Sequence, residues 1–364
     1  MRIKRIYFLK KSLFIIKIKL ELNSFINCKF ATLKTAIVIL NWNGKKLLEQ
    51  FLPSIVNFSS KEADVYVADN ASTDDSVAYL KNSFPDVKII ENTTNGGYAK
   101  GYNDALKYID ADIYCLINSD IEVTNNWLSP ILDVFKKDNK TAIIQPKILD
   151  FKNKMKFEYA GAAGGFIDLF GYPYCRGRVF NHLEKDNGQF NDIKEIFWAS
   201  GACLFIRSNV YHQINGFDED YFAHQEEIDL CWRTQNIGYK VKYVGNSTVF
   251  HVGGATLQES NPHKTYLNFR NSLLNVVKNV PKQWFLFVVF SRLTLDGIAG
   301  IKFIIELRPI HTWAIIKAHL SFYKNFFKFL GKRKKLIKRQ DYNTHTSIVW
   351  QYFALGKKKF EELK

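Results

Sequence analysis

The chain has 364 residues, a mass of 42.3 kDa and a formal net charge of +16, from 51 Lys and Arg against 35 Asp and Glu. That length fits one enlarged α/β domain with appended elements and excludes both a small module and a large multidomain machine. With 47% hydrophobic and 24% charged residues, the composition is globular and excludes a disordered chain.

The charge is uneven. Residues 1–34 carry +8, residues 35–279 carry −4 and residues 280–364 carry +12. A mildly acidic body therefore has two basic ends. A nucleic-acid groove reader keeps its charge on the folded core. No zinc-finger spacing, RNP-type aromatic motif or basic zipper occurs, so no nucleic-acid partner is expected. Cys28, Cys115, Cys175, Cys203 and Cys231 are odd in number and form no CxxC pair. Cys115 and Cys203 sit in apolar runs, which points to buried thiols and a reducing compartment. The N-terminus does not read as a signal peptide, because Lys10, Lys11, Lys17 and Lys19 break its apolar stretch.

In chain order, 35–41 (TAIVILN) reads as a buried strand and Leu47, Leu48, Phe51, Leu52, Ile55 and Val56 follow helical spacing. Strand signals recur at 65–68, 87–91 and 113–117, separated by helices at 74–84 and after Gly96-Gly97. That alternation predicts βαβ units and a mostly parallel sheet flanked by helices. From 151 to 196 glycines mark a turn-rich insertion. A strand is predicted over 197–207, a helix over 225–236, a strand over 240–244 and a helix over 262–280. Parallel sheets bind ligands at the carboxyl ends of their strands. Here those ends carry Asn41-Trp42-Asn43, Asp69-Asn70 and Asn118-Ser119-Asp120.

Asp69 can accept hydrogen bonds from a ribose or a base, while Ser72 or Thr73 caps the next helix. Asp120 either holds a divalent cation bridging a diphosphate or is a plain polar strand end. Glu226, Glu227 and Asp229 can simply complement a helix N-terminus, and Asp229 and Arg233 have the spacing of a helical ion pair. Glu226 and Glu227 are less well covered by that account. Adjacent, partly buried carboxylates have raised pKa values, which suits a general base. His251 is either a metal or phosphate ligand or a lone histidine with no such role. Asn95-Gly96-Gly97-Tyr98 is not GxGxxG and follows the third strand, which argues against a dinucleotide oxidoreductase.

As a set, ILNWNG at 39–44, VADNASTDDS at 67–76, NGGYAKGYNDAL at 95–106, INSD at 117–120, SGACLFIR at 200–207, GFDEDYF at 216–222, QEEIDLCWR at 225–233 and HVGG at 251–254 resemble the family 2 glycosyltransferases, in their rhamnosyltransferase-like branch. The resemblance implies a GT-A fold over 35–280, with a nucleotide-binding half at 35–124 and an acceptor and catalytic half at 125–280. It implies inverting transfer from a nucleotide-diphosphate sugar, with Mn²⁺ or Mg²⁺ as cofactor. Asn41, Asn43, Asp69, Asn70, Lys100, Asn118 and Asp120 fall in the donor-binding set. Asp120 and His251 would hold the metal. Asn118 stands where the family has the first Asp of its DxD-type motif. Glu227 occupies the position of the usual base, with Glu226 and Asp229 as alternates. Trp198, Ser200 and Gly201 are expected to shape the sugar and acceptor pockets.

The ends mix apolar and basic residues. Residues 1–34 form a basic apolar extension, 281–340 an amphipathic helical membrane-associating region and 341–364 a basic tail. Arg292, Asp296 and Lys302 interrupt the apolar run, which excludes a spanning helix and predicts helices lying on an anionic bilayer, with Lys332-Arg333-Lys334-Lys335 at the headgroups. The competing expectation is a helical subdomain packed on the core. The leading function is extension of a lipid-linked or surface polysaccharide on the cytoplasmic face of a bacterial membrane. A sugar nucleotidyltransferase and a catalytically impaired sugar-nucleotide-binding subunit are the alternatives. The former would want a Gly-rich, basic loop after the first strand, which Asn41–Lys45 does not supply.

Overall fold

The computed structural model describes residues 33–253, 261–333 and 341–363. The N-terminal extension up to residue 32 with Cys28, Gly254 and Lys334-Lys335 lie outside the described residues. Thr35–Lys364 form one unit, separate from the residues before them.

Its first half alternates strand and helix: β1 (Thr35–Asn41), α1 (Lys45–Ser59), β2 (Asp64–Asp69), α2 (Ser76–Ser83), β3 (Lys88–Glu91), α3 (Gly97–Ala105) and β4 (Ile113–Asn118). The four strands run parallel in the order β3-β2-β1-β4. Strand β1 is buried on both faces except at Leu40, as a central parallel strand clothed by helices must be. Register aligns the strand ends. Asn41 is level with Asp69, and Leu40 is level with Asn118. The polar residues flagged in the sequence therefore emerge along one rim.

The sheet continues through β5 (Ile121–Val123), α4 (Ser129–Lys137) and β6 (Thr141–Asp150). Residues 151–196, read as a turn-rich insertion, build a small antiparallel sheet of β7 (Gly165–Ile167), β8 (Pro173–Cys175), β9 (Arg178–Val179) and β10 (His182–Leu183), then return to the main sheet as β11 (Ile193–Ile196). Strand β12 (Cys203–Arg207) runs antiparallel between β4 and β6. It is shorter than the expected 197–207, because Phe197 to Gly201 are committed elsewhere. Gly165 bonds the backbone of both Phe197 and Trp198, and Ser200 N donates to Gln145 Oε1.

Helices α5 (Ser208–Gln213) and α6 (Glu226–Asn236) precede β13 (Lys240–His251). That last strand is also a correction. It does not stop at Val244 but passes a register shift between Val244 and Thr248 and continues to His251, so the histidine ends a strand rather than following a loop. Together these strands and helices form a mixed α/β fold whose first half is wholly parallel.

Three helices complete the unit: α7 (Pro262–Asn279), α8 (Phe285–Ile305) and α9 (Pro309–Lys332). Helix α8 has inverted polarity. Its buried stripe is Val288, Arg292, Asp296 and Gly300, at intervals of four. Arg292 donates to Ser272 Oγ and Phe170 O, and Asp296 accepts from Tyr172 OH and lies 3.2 Å from His319 Nε2. The apolar side faces out instead, with Leu286, Phe290, Ile301 and Ile305 between 59% and 78% exposed. Among the described residues no helix is long and apolar enough to cross a membrane. Residues 341–363, expected as a basic tail, pack on the small sheet. Tyr342 OH donates to Leu169 O, Ile348 N to Asp168 Oδ2, and the Phe360 ring stacks on Tyr174. Their apolar side chains outweigh the short lysine run at 357–359.

Candidate active site

The nucleotide side of the rim is a closed hydrogen-bond network. Asn41 Nδ2 donates to Asp69 Oδ1 at 3.0 Å and to Ser72 Oγ at 3.2 Å, and Ser72 N donates to Asp69 Oδ2 at 2.8 Å. Asp69 is thus buried, oriented and left with spare lone pairs at the rim. Asn43, in a left-handed conformation, accepts from Thr73 N and fixes the turn after β2. Asn70 Nδ2 reaches Asn95 Oδ1 and Gly97 O, tying the β2 end to the α3 entry. Lys100 does not point into this network. Its ammonium pairs with Asp104 one turn along α3.

Asp120 and His251 meet because β5 pairs with the end of β13. Ile121 is the register partner of His251, and Val252 N donates to Asp120 O. His251 Nε2 lies 3.1 Å from Asp120 Oδ1, and both side chains are buried. On the other face of the ring, Nδ1 lies 3.4 Å from Glu158 Oε1, within ion-pair range but off line for a full hydrogen bond. Burial opposes charge on the imidazole, yet Asp120 and Glu158 outweigh it and hold the ring protonated, with a pKa pushed up to about 10. The two carboxylates thus call for a positive charge between them. A cation can supply it in place of the proton, with carboxylate and imidazole ligands that suit Mn²⁺ or Mg²⁺. Metal-ligating histidines keep a carboxylate behind the ring, as Glu158 stands here. Among the described residues no cluster of three or more acidic, histidine or cysteine side chains forms a complete cage. A cation at this point would complete its shell with substrate oxygens and water. Asn118 is half-buried at the β4 end, its N–H bonded to Ala202 O.

Glu226 and Glu227 open α6 behind a strained approach. Phe222, His224 and Gln225 all have positive φ, between 65° and 74°. Burial drives the Glu226 carboxyl well above its ordinary range, with the Glu227 charge adding to it, and Glu226 Oε2 has no hydrogen-bond partner. Burial pushes Glu227 up to about 7, although its own and neighbouring backbone N–H groups favour the ionised form. A carboxyl at that value is poised to take a proton at neutral pH. Gly201 lies against this pair. Tyr98 OH donates to Gly201 O at 2.6 Å, and a Cβ on Gly201 would come within 3.1 Å of that hydroxyl.

Asp229, expected as an alternate base, faces the other way. It accepts from Arg233 Nε at 2.7 Å, Lys278 Nζ at 2.9 Å and Asn279 Nδ2 at 2.9 Å. Burial alone would raise its pKa, but Arg233 and Lys278 hold it well below the carboxylate range. It fastens α6 to α7 as a permanent anion. Trp198 and Ser200 also depart from expectation. The Trp198 indole lies on Gly165, where any Cβ would collide with the ring, and donates to Phe166 O. Ser200 is buried, and its Oγ accepts from Ala202 N. Both support the pocket wall from behind. Glu158 was missed. It is a single acidic residue in the insertion, without a motif, and reaches the site only because the Leu149–Phe157 bridge folds the insertion back on β6.

A parallel nucleotide-binding sheet with a carboxylate at the second strand end, an acid–histidine pair beyond the fourth and a buried carboxylate pair opposite them defines a nucleotide-sugar glycosyltransferase of GT-A fold. Residues 36–214 match the family described as glycosyl transferase family 2. It is similar to the N-acetylglucosaminyl-diphospho-decaprenol L-rhamnosyltransferase of Mycobacterium tuberculosis, 24% identical over 59% of this chain and 75% of that protein. It is also similar to a low-salt glycan biosynthesis hexosyltransferase of Haloferax volcanii, 25% identical over 66% of this chain and 74% of that one. Among solved structures, GalNAc-T7 with UDP, GalNAc and Mn²⁺ shares the fold with a TM-score of 0.56 and 14% identity, over 82% of this chain and 58% of that one. Staphylococcus aureus TarS 1–349 with UDP-GlcNAc aligns with a TM-score of 0.51 and 14% identity, over 82% of this chain and 90% of that one. The chain is a glycosyltransferase of rhamnosyltransferase-like type that uses a nucleotide-sugar donor.

Proposed function

We propose that the protein inverts the anomeric centre as it transfers a sugar, of rhamnose type, from a nucleotide diphosphate to a hydroxyl of a lipid-linked or surface glycan. The observation that carries this reading is the adjacent pair of buried Glu226 and half-buried Glu227 beside Gly201 and Tyr98, with Glu227 pushed up to about 7. Asp69 holds the nucleoside by its free lone pairs. Asp120 and His251 would hold the cation, which when bound neutralises charge on the leaving diphosphate. Glu158 keeps the imidazole oriented. Glu227 accepts the proton of the acceptor hydroxyl as its oxygen bonds to the anomeric carbon. The bond to the diphosphate breaks on the opposite face. One base on the acceptor side suffices, and no covalent sugar–enzyme intermediate forms.

Mass spectrometry of a membrane lipid extract incubated with a nucleotide-sugar panel, with and without Mn²⁺, tests this. The expected result is one hexose or deoxyhexose added to a lipid-linked glycan, with nucleoside diphosphate released. A product that keeps the donor's anomeric configuration, read by NMR, would overturn inversion, and pyrophosphate release would point to a nucleotidyltransferase.

The acceptor class agrees with the outward face of α8 and α9. Residues 281–340 hold thirteen Lys and Arg against two acidic residues. Exposed Phe290, Ile305, Trp313 and Phe327, in a segment whose sequence is net basic, suit an anionic bilayer at its cytoplasmic face. Vesicle flotation reads it out. Binding to vesicles of 30% phosphatidylglycerol is expected, and the double variant Phe290→Glu, Ile305→Glu should stay in solution. Equal recovery of both proteins with the vesicles would remove this part of the reading, as would a stable dimer that the variant dissociates.

A further inference from the structure

The approach to the catalytic carboxylates is held from outside itself. Between Tyr221 and Gln225 the chain has positive φ at Phe222, His224 and Gln225. Non-glycine residues adopt that conformation at a cost, so something must select it. The selection comes from one face of α7. Asn271 Nδ2 lies 3.1, 2.9 and 2.8 Å from the carbonyl oxygens of Tyr221, Ala223 and His224. Arg270 Nη2 donates to Tyr221 O at 2.9 Å and Asp220 O at 3.3 Å, and its Nε donates to Asn271 Oδ1 at 2.7 Å, fixing the amide's orientation. Asn275 Nδ2 donates to Gln225 O at 3.1 Å, and its Oδ1 accepts from Tyr221 OH at 2.7 Å.

We infer that Asn271 is a positioning residue of the active site. It gathers the loop carbonyls on the α7 side, keeps Phe222, His224 and Gln225 at positive φ and so aims Glu226 and Glu227 into the pocket. The assignment follows from three features. Asn271 is fully buried, and its amide group serves no other element. The carbonyls it binds lie two to five residues before Glu226. Its hydrogen bonds supply donors that the loop's own left-handed backbone does not, since a run of such residues turns several carbonyls to one side. Removing the amide frees the loop to relax toward ordinary φ values, and the carboxylates would shift with it. A displacement of about 1 Å at a reacting group lowers turnover on the order of 10²-fold.

The inference rests on the reading of Glu227 as base, and the experiment keeps the two apart. Asn271→Ala is compared with wild type by hydrogen exchange at amides 221–227, by nucleoside-diphosphate release under donor saturation, by UDP binding with Mn²⁺ in calorimetry and by thermal melting. Expected are faster exchange confined to this loop, a kcat lowered roughly 10- to 100-fold and UDP affinity within twofold of wild type. Should Asn271→Ala not fold, Asn271→Ser, which keeps a small polar group, is measured in its place. Unchanged exchange at 221–227 in the folded variant overturns the positioning role, whatever Glu227 does. Faster exchange with undiminished kcat overturns the link to catalysis. Full activity of Glu227→Gln, by contrast, overturns the base assignment and leaves the exchange result standing as evidence on the loop.

Discussion

The two halves of the rim handle their polar groups in opposite ways. On the nucleotide side, Asp69, Asn41, Asn43 and Asn70 bind one another and the turn backbone, and only Asn41 Oδ1 among their buried side-chain atoms has no partner. On the acceptor side, buried Glu226 and half-buried Glu227 stand side by side, and burial raises both carboxyls above their ordinary range. The first arrangement builds a rigid receptor whose shape is fixed before the donor arrives. The second keeps charge in an environment that disfavours it, which is how a carboxyl becomes a base at neutral pH.

Substitutions should separate these regions by the size and kind of their effects. The largest is expected at Glu227→Gln, a fall in kcat of about 10²–10⁴-fold with nucleoside-diphosphate affinity retained; activity close to wild type would remove the contrast. Next comes the metal pair. Asp120→Asn should abolish the response of activity to Mn²⁺, and Glu158→Gln should weaken Mn²⁺ binding about tenfold, read by electron paramagnetic resonance of the free ion. On the nucleotide side, Asp69→Asn should raise the donor KM roughly tenfold and leave kcat nearly unchanged, since a hydrogen bond to a charged group is worth about 1.5–3 kcal/mol. A fall in kcat alone would place Asp69 with the chemistry.

The pH dependence has a definite sign. Glu227 must be ionised to take a proton, and its pKa stands near 7, so kcat should fall about tenfold per unit below that value and level off above it. Stability should move the other way. A folded-state pKa above the ordinary 4.5 means the folded protein holds this proton more tightly. That contribution is complete below 4.5 and lost as pH rises through 7. Glu227→Gln carries no such loss. The smallest expected effect is thus a gain of roughly 1–2 kcal/mol for that variant at pH 8, discounted because the side chain is only half-buried. Chemical denaturation at pH 5 and pH 8 reads it, and an equal stability difference at both values would deny the strain on the carboxyl.

How far the site was legible depends on whether a residue's partners lie near it in sequence. Asp69 and Asp120 end strands, and the βαβ alternation alone placed them on one rim. Glu226 and Glu227 were visible as adjacent carboxylates opening a helix. Asp229 sits in the same motif and reads the same way, yet Lys278 and Asn279, some fifty residues on, turn it to the other face of α6. Lys100 lies in a matching motif but is captured by Asp104. Trp198 and Ser200 face structural partners in β6 and β7. For α8 the sequence left two readings open, an apolar side on a bilayer or on the core, for a similar reason. Periodicity shows that a helix has two faces but not which one meets the protein.

The sequence by itself determined the class of fold, the order of its strands and helices, the family and the presence of carboxylates and a histidine at strand and helix ends. These follow from local patterns, whose periods and terminal residues are written along the chain. Only the tertiary structure decided that His251 stands between Asp120 and Glu158, that Asp229 is a structural anion and that Asn271 holds the loop before Glu227. Those outcomes depend on which side chains meet across large sequence separations, and burial and hydrogen bonding act only once they have met.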